Sequence, residues 1–330
     1  RPFSRPVHRS APLPARRSAH PRQNLWPRAG RNAKARAMRH APLLYPSPAD
    51  WEAATARRVA LFGMSGLGKT HLSALLREAG GWFHYSVDYR IGTRYMGEKI
   101  EDSVKREAMR VPYLRDLLLS DSIYIASNIT FHNLAPLSTY LGKPGDPAKG
   151  GLPIEEYRRR QAEHEEAEVA ALLDAPRFID RAEEIYGYPH FVCDTGGSIC
   201  EVVAPEDPND PVMQALAGAM LLVWIEGSEA HRDELIRRFS KAPKPMAYQP
   251  AFLTETWQAY LAETGRAEAQ VDPDAFAVYA YGRALAHRQP RYAAMARHWG
   301  VKITAEEAAG VTDEASFVAL VARALERAQP

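Results

Sequence analysis

The chain has 330 residues, 46% of them apolar and 25% charged, which is the composition of a globular protein. Its longest apolar run, Ala215 to Ile225, spans eleven residues, too short to cross a bilayer and an argument against a transmembrane protein. Two cysteines, Cys193 and Cys200, cannot make a disulfide framework, which points to a reducing cytoplasm, and no paired Cys or His spacing indicates zinc.

Charge is unevenly placed. Residues 1–40 carry ten Arg and one Lys with no Asp or Glu, so the remainder holds 31 basic and 40 acidic side chains. Residues 1–50 contain nine Pro and no periodic apolar pattern, and they are expected to be a disordered basic arm. Such an arm has three readings. It is a contact for nucleic acid or an anionic surface, an Arg-rich leader, or a stretch ahead of a native start near Met38.

The body opens with Arg57 to Phe62, a short buried strand ending at Gly63. His71 to Ala79 is expected to be a helix with Leu72, Leu75 and Leu76 on one face, stopped by Gly80-Gly81. Trp82 to Val87 reads as a second strand and Ser122 to Ile129 as a possible further one. Gly142 to Pro153 reads as a loop. Ile154 to Leu173 reads as a charged, solvated helix laced by ion pairs four residues apart. Phe191 to Cys193, Met220 to Ile225 and Val301 to Thr304 are further core strands. Helices are expected over Glu229–Phe239 and Asp313–Ala328, the latter capped by Thr312. Trp224 and Trp257 are expected in the core. Strands alternating with helices predict a doubly wound, mostly parallel α/β sheet with helices on both faces, its second and third strands flanking the first.

Between the first strand and the first helix lies G-M-S-G-L-G-K-T, a full match to G-x-x-x-x-G-K-[ST]. Its glycines allow backbone N–H groups to curl around phosphate oxygens, and the following helix adds a positive dipole. Candidate nucleotide contacts are Gly63, Met64, Ser65, Gly66, Leu67, Gly68, Lys69, Thr70 and His71, with Lys69 reaching the β- and γ-phosphates. Thr70 and Asp194, the latter at the end of an apolar strand, are the candidate Mg²⁺ ligands. No N-K-x-D sequence occurs, which argues against a guanine nucleotide.

Several further segments resemble the shikimate kinase branch of the P-loop small-molecule kinases. Ser86-Val87-Asp88 stands in the place of that family's D-x-D. Asp194-Thr195-Gly196-Gly197-Ser198 is similar to its three-glycine substrate turn, with Ser198 replacing the third Gly. Lys244-Pro245-Met246 stands in the place of the lid R-P-L, and Arg288-Gln289-Pro290-Arg291-Tyr292 is similar to R-x-P-x-Y. The resemblance implies a P-loop kinase-like domain over 51–330, with an enlarged substrate region at about 95–187 and a lid at about 240–252. It implies substrate contacts at Asp88, Arg158 (or Arg181), Gly196, Gly197 and Arg288, and catalytic roles for Lys69, Asp88, Lys244 and Arg288, with Lys241 as a second lid cation. The departures at Ser86, Ser198 and Lys244 point to an acceptor other than shikimate.

The expectation is a protein that binds ATP and Mg²⁺ and transfers the γ-phosphate to a small hydroxylated metabolite. A second reading is an ATPase or nucleotide-gated regulator with no small acceptor, favoured by the length of 95–187. A third, a nucleic-acid end kinase, rests on the arm, and the acidic body counts against it.

Overall fold

The computed structural model describes residues 39–329. The basic arm through residue 38 lies outside the described residues. From residue 39 the chain is folded, which corrects the expected end of the arm at residue 50. Arg39 donates to the Gly300 carbonyl at 2.7 Å, and Tyr45 is buried. A short helix, α1 (Pro48–Ala53), is capped by Ser47 and buries Trp51 completely. The sequence hid this because two buried aromatics, Tyr45 and Trp51, six positions apart among prolines, make no helical or strand period.

Five strands form one sheet: β1 (Arg58–Phe62), β2 (Trp82–Ser86), β3 (His190–Asp194), β4 (Leu221–Glu226) and β5 (Gly300–Thr304). All pairings are parallel and the order is β2-β3-β1-β4-β5. β1 is therefore flanked by β3 and β4, not by β2 and β3 as expected. Val59 to Phe62 are all fully buried, because helices cover both faces of a central parallel strand and leave no solvent side to alternate with.

The helices pack around this sheet. After β1 comes α2 (Lys69–Ala79), which buries Leu72 and Leu76 against β2 and β3. After β2 come α3 (Val87–Arg90), a single wide turn at Ile91–Tyr95, then α4 (Gly97–Ala108), α5 (Pro112–Leu119) and α6 (Ala135–Leu141). The expected strand at Ser122–Ile129 does not form. Its exposure alternates, but it pairs with no strand among the described residues, and the Ser127 N–H bonds to the Glu101 carboxylate instead. The loop from Gly142 contains a short 3₁₀ turn at Pro147–Lys149.

α7 (Ile154–Tyr186) has 33 residues and continues through Pro176 to a left-handed Gly187. The expected ion pairs form, including Arg159–Glu163 and Arg160–Glu156. The helix is not solvated all round, however. Tyr157, Gln161, His164 and Glu168, spaced four, three and four apart, form a buried stripe.

The rest of the chain supplies α8 (Ile199–Val202), α9 (Pro211–Ala219), α10 (Glu229–Lys241), α11 (Pro250–Thr264), α12 (Pro273–Trp299), α13 (Ala305–Ala309) and α14 (Glu314–Ala328). The N-cap of α14 is Asp313, whose carboxylate accepts from the Ser316 N–H at 2.7 Å, rather than Thr312. Trp224 and Trp257 are both buried. Trp257 belongs to a second apolar cluster, where α11 and α12 pack with Tyr157 of α7 beside the main core. Among the described residues no helix is long and apolar enough to cross a membrane.

Candidate functional site

Gly63 to Gly68 turn the chain from β1 into α2. Gly63 has φ of +137°, and a Cβ there would sit 2.6 Å from the Ile225 carbonyl oxygen, so this turn requires glycine. Met64 and Leu67 are buried, whereas Ser65 and Gly66 face solvent. The first intrahelical bond of α2 runs from the Leu72 N–H to the Gly68 carbonyl. The amides of Lys69, Thr70 and His71 therefore form the open positive end of the helix. The His71 side chain itself is exposed.

Lys69 is buried, and its Nζ donates to the carbonyls of Gly63 at 2.8 Å and Met64 at 2.9 Å. Burial lowers its pKa, opposed by the charges of Asp194 and Asp88. Opposite it, the Thr70 hydroxyl donates to Asp194 Oδ2 at 2.6 Å, and the Gly196 N–H donates to Oδ1 at 3.1 Å. Lysine, hydroxyl and carboxylate thus converge at the carboxyl edge of β1 and β3.

Asp88 begins the first turn of α3, just beyond β2. Burial pushes its carboxyl up to about 6, helped by Asp194 and opposed by Lys69. Gly196 is left-handed, with φ of +74°, and a Cβ on it would fall 2.6 Å from Asp88 Oδ1. The glycine is what lets the turn after β3 lie against this acid. Ser65, Asp88, Gly197, Lys244 and Arg288 line a single cleft of about 200 Å³, whose apolar wall includes Leu137 and Leu141.

Arg288 sits in the middle of α12 and is 2% exposed. Each guanidinium nitrogen already donates: Nε to Glu201 Oε1 at 2.5 Å, Nη1 to the Gly197 carbonyl at 3.1 Å, and Nη2 to the Ala247 carbonyl at 2.5 Å. Arg291 donates to the carbonyls of Cys200 and Val203, and the Tyr292 hydroxyl to that of Gly197. The R-Q-P-R-Y motif therefore fastens the turn after β3.

Arg158 does not reach the cleft. It lies on the outer face of α7, paired with Glu155 at 2.7 Å. Arg181 lies farther along the same helix, its guanidinium over the Phe178 ring. Lys244 reaches the rim and is exposed, while Lys241 ends α10. The segment after Lys244 is tied down. The Met246 carbonyl accepts from the Tyr157 hydroxyl and from Gln161 Nε2, both at 3.0 Å, and the Tyr248 N–H donates to Gln161 Oε1.

Three buried side chains escaped the sequence reading: His164, which lines the cleft, and Glu168 and Glu201, which line a small void adjoining it. Glu168 is fully buried and accepts from the Ser198 hydroxyl at 2.8 Å, and its carboxyl is pushed up to about 8 by burial and by Asp88. The 157-161-164-168 spacing was the available signal, masked by the surrounding charge. Cys193 and Cys200 are buried and unpaired. Among the described residues no three His, Cys, Asp or Glu side chains gather as a metal site.

No family model matches this chain, and no curated protein matches it significantly. The chain is similar to the crystal structure of a shikimate kinase from Bacteroides thetaiotaomicron. The match has 16% identity and a TM-score of 0.35, covering 82% of this chain and 95% of that one. The fold class stands on the chain's own geometry: a five-stranded, wholly parallel sheet of the P-loop NTPase type with a G-x-x-x-x-G-K-T turn between its central strand and first helix.

Proposed function

We propose that the protein is an ATP-dependent phosphotransferase whose acceptor is a small hydroxylated molecule. The observation that carries this reading is that Asp88 lines the same cleft as Ser65 of the phosphate loop. A hydrolase also needs a group to orient its attacking water, but a cleft of about 200 Å³ beside the loop is larger than a water requires and suits an acceptor whose hydroxyl Asp88 orients.

In this reading the loop amides and Lys69 hold the β- and γ-phosphates, which requires the Lys69 ammonium to leave the carbonyls of Gly63 and Met64 for phosphate oxygen. The Thr70 hydroxyl and Asp194 carboxylate are hard oxygen donors on one edge and would hold Mg²⁺, which characteristically takes one or two protein ligands and keeps several waters. The ion would neutralise phosphate charge. Asp88 aligns the acceptor hydroxyl and takes its proton as that oxygen bonds to the γ-phosphorus and the bond from phosphorus to ADP breaks, ADP leaving, and Lys244 at the rim balances charge on the transferring group. Arg288 acts through the Gly197 turn and the 246–249 segment, which it holds together. The implied site residues Gly196 and Gly197 contribute backbone and close approach.

The second reading, an ATPase or nucleotide-gated regulator, is favoured by Arg288 being committed to Glu201 and two carbonyls rather than offered to an anion. Measuring ATP turnover with and without a panel of polyols, amino alcohols and hydroxy acids separates the two. Acceptor-dependent transfer of the γ-phosphate supports the kinase. A turnover rate that no acceptor changes supports the alternative.

A further inference from the structure

A small void adjoining the acceptor cleft is lined by two side chains with buried polar atoms that no neighbour satisfies. Glu168 Oε1 accepts from Ser198, but Oε2 has no hydrogen-bond partner. His164, one turn earlier on α7, is also buried, and its Nδ1 is likewise unpaired. The two atoms lie 3.6 Å apart, too far for a hydrogen bond to each other. Leaving such groups unsatisfied is costly, because burial removes the water that would pair with them. Beside them is a void of about 10 Å³, enough for one non-hydrogen atom, walled by Ala247 and Tyr248. It shares His164 and Ala247 with the wall of the larger cleft.

Charge decides what fits. Burial pulls His164 down to about 4, so its ring is neutral and offers a lone pair. Facing Glu168 from other elements are Asp88 on α3, Glu201 on α8 and Arg288 on α12, while Glu165 lies on its own helix. Arg288 is spent on Glu201, and His287, also near Glu201, is held below its ordinary pKa by burial. Carboxyl groups thus outnumber available buried cations at this depth. The described residues that line this void include no Lys or Arg, so a carboxylate seated there would meet no unpaired cation, whereas a compact donor-only cation would satisfy both orphaned atoms.

We propose that the acceptor carries a primary ammonium group, seated in the one-atom void between Glu168 and His164, while its hydroxyl is presented to Asp88. The hydroxyl half of this assignment rests on the kinase reading; the ammonium half does not. With its carboxyl pushed up to about 8, Glu168 gives up bound proton to solvent when the ammonium is seated, which leaves an R–NH₃⁺···carboxylate pair that also donates to His164 Nδ1.

The test is calorimetric binding of three matched three-carbon probes, 2-amino-1,3-propanediol, glycerol and glycerate, to the full chain with Mg²⁺ and a nonhydrolysable ATP analogue. The aminodiol is expected to bind at least about tenfold tighter than glycerol, as one charge-assisted hydrogen bond implies, and to release a proton at neutral pH, read from the buffer dependence of the heat. Glu168→Gln, which copies the protonated acid and keeps a partner for Ser198, should abolish both effects, and His164→Ala should weaken aminodiol binding independently. Tighter binding of glycerate, equal binding by wild type and Glu168→Gln, or no aminodiol binding at all overturns the assignment; the last outcome leaves an internal water as the occupant. With ATP in place of the analogue and phosphate transfer measured, aminodiol binding without transfer to any acceptor would defeat the kinase reading and leave the ammonium site standing. Phosphorylation of glycerate in preference to the aminodiol would do the reverse.

Discussion

The Thr70 hydroxyl and the Asp194 carboxylate meet at 2.6 Å although 124 positions separate them in the chain. Pairing of β1 with β3, Leu61 opposite Asp194, brings them together. If this pair holds Mg²⁺ with the nucleotide, Asp194→Asn should raise the Mg²⁺ concentration needed for half-maximal turnover by about tenfold or more, a loss typical of weakening a metal's ligand set. Magnesium titration of turnover at saturating ATP checks this. An unchanged Mg²⁺ dependence would separate the pair from the metal.

Lys69→Ala should lower turnover by roughly 10²–10³-fold, the cost of losing a preorganised charge on the transferring group. Far-ultraviolet circular dichroism should be unchanged, because the strand and helix that flank the loop do not depend on the ammonium. Turnover at the wild-type rate in this variant would show that the loop does not serve phosphate.

Asp88 must be ionised to take a proton, and burial pushes its carboxyl up to about 6. Turnover should therefore rise with pH through about 6 and then level. Asp88→Asn should lower the rate by roughly 10²–10⁴-fold, the usual contribution of a positioned base. A pH–rate profile flat from acid to neutral would remove Asp88 from the chemistry.

Glu168 gives a stability prediction of definite sign. Its carboxyl is raised in the folded state to about 8 from an ordinary 4.5. A group raised on folding contributes stability that is full below its unfolded value and lost as pH rises through its folded value. Wild type should lose stability between about pH 5 and pH 9, and Glu168→Gln should lose less. Melting temperatures of the two proteins across that range test the point. Parallel curves would mean that Glu168 is ionised in the fold throughout.

Arg288→Met should destabilise the protein by about 3–5 kcal/mol, because it leaves Glu201 as an uncompensated buried charge. Adding Glu201→Gln should restore a large part of that loss, since the remaining polar group is neutral and can still accept from the Gln249 N–H. Urea unfolding of the two single variants and the double variant measures the coupling. Additive losses would show that the ion pair is not what anchors α12 to the Gly197 turn.

The sequence by itself determined the parts whose physics is local. Gly63 to Thr70 is legible because a phosphate loop needs glycines, a lysine and a hydroxyl at fixed spacing between a strand and a helix. The runs at 58–62, 191–193 and 221–225 are legible as strands because a parallel sheet covered on both faces leaves continuous apolar stretches. Asp194 could be placed at the sheet edge because it ends one of them. What surrounds the loop was decided only by tertiary structure. Strand order put β3 and β4 beside β1, since neighbours in a parallel sheet are chosen by crossovers that no local pattern encodes. Arg288, read as a group offered to a substrate, is instead bound to Glu201 across 87 positions. The stripe of Tyr157, Gln161, His164 and Glu168 looks solvated in sequence, since polar residues in a charged run carry no hydrophobic period. Packing against the turn at Ser198 and the segment at Met246–Tyr248 buries that stripe, and packing alone set His164 into the wall of the cleft and Gln161 and Glu168 into that of the small void beside it.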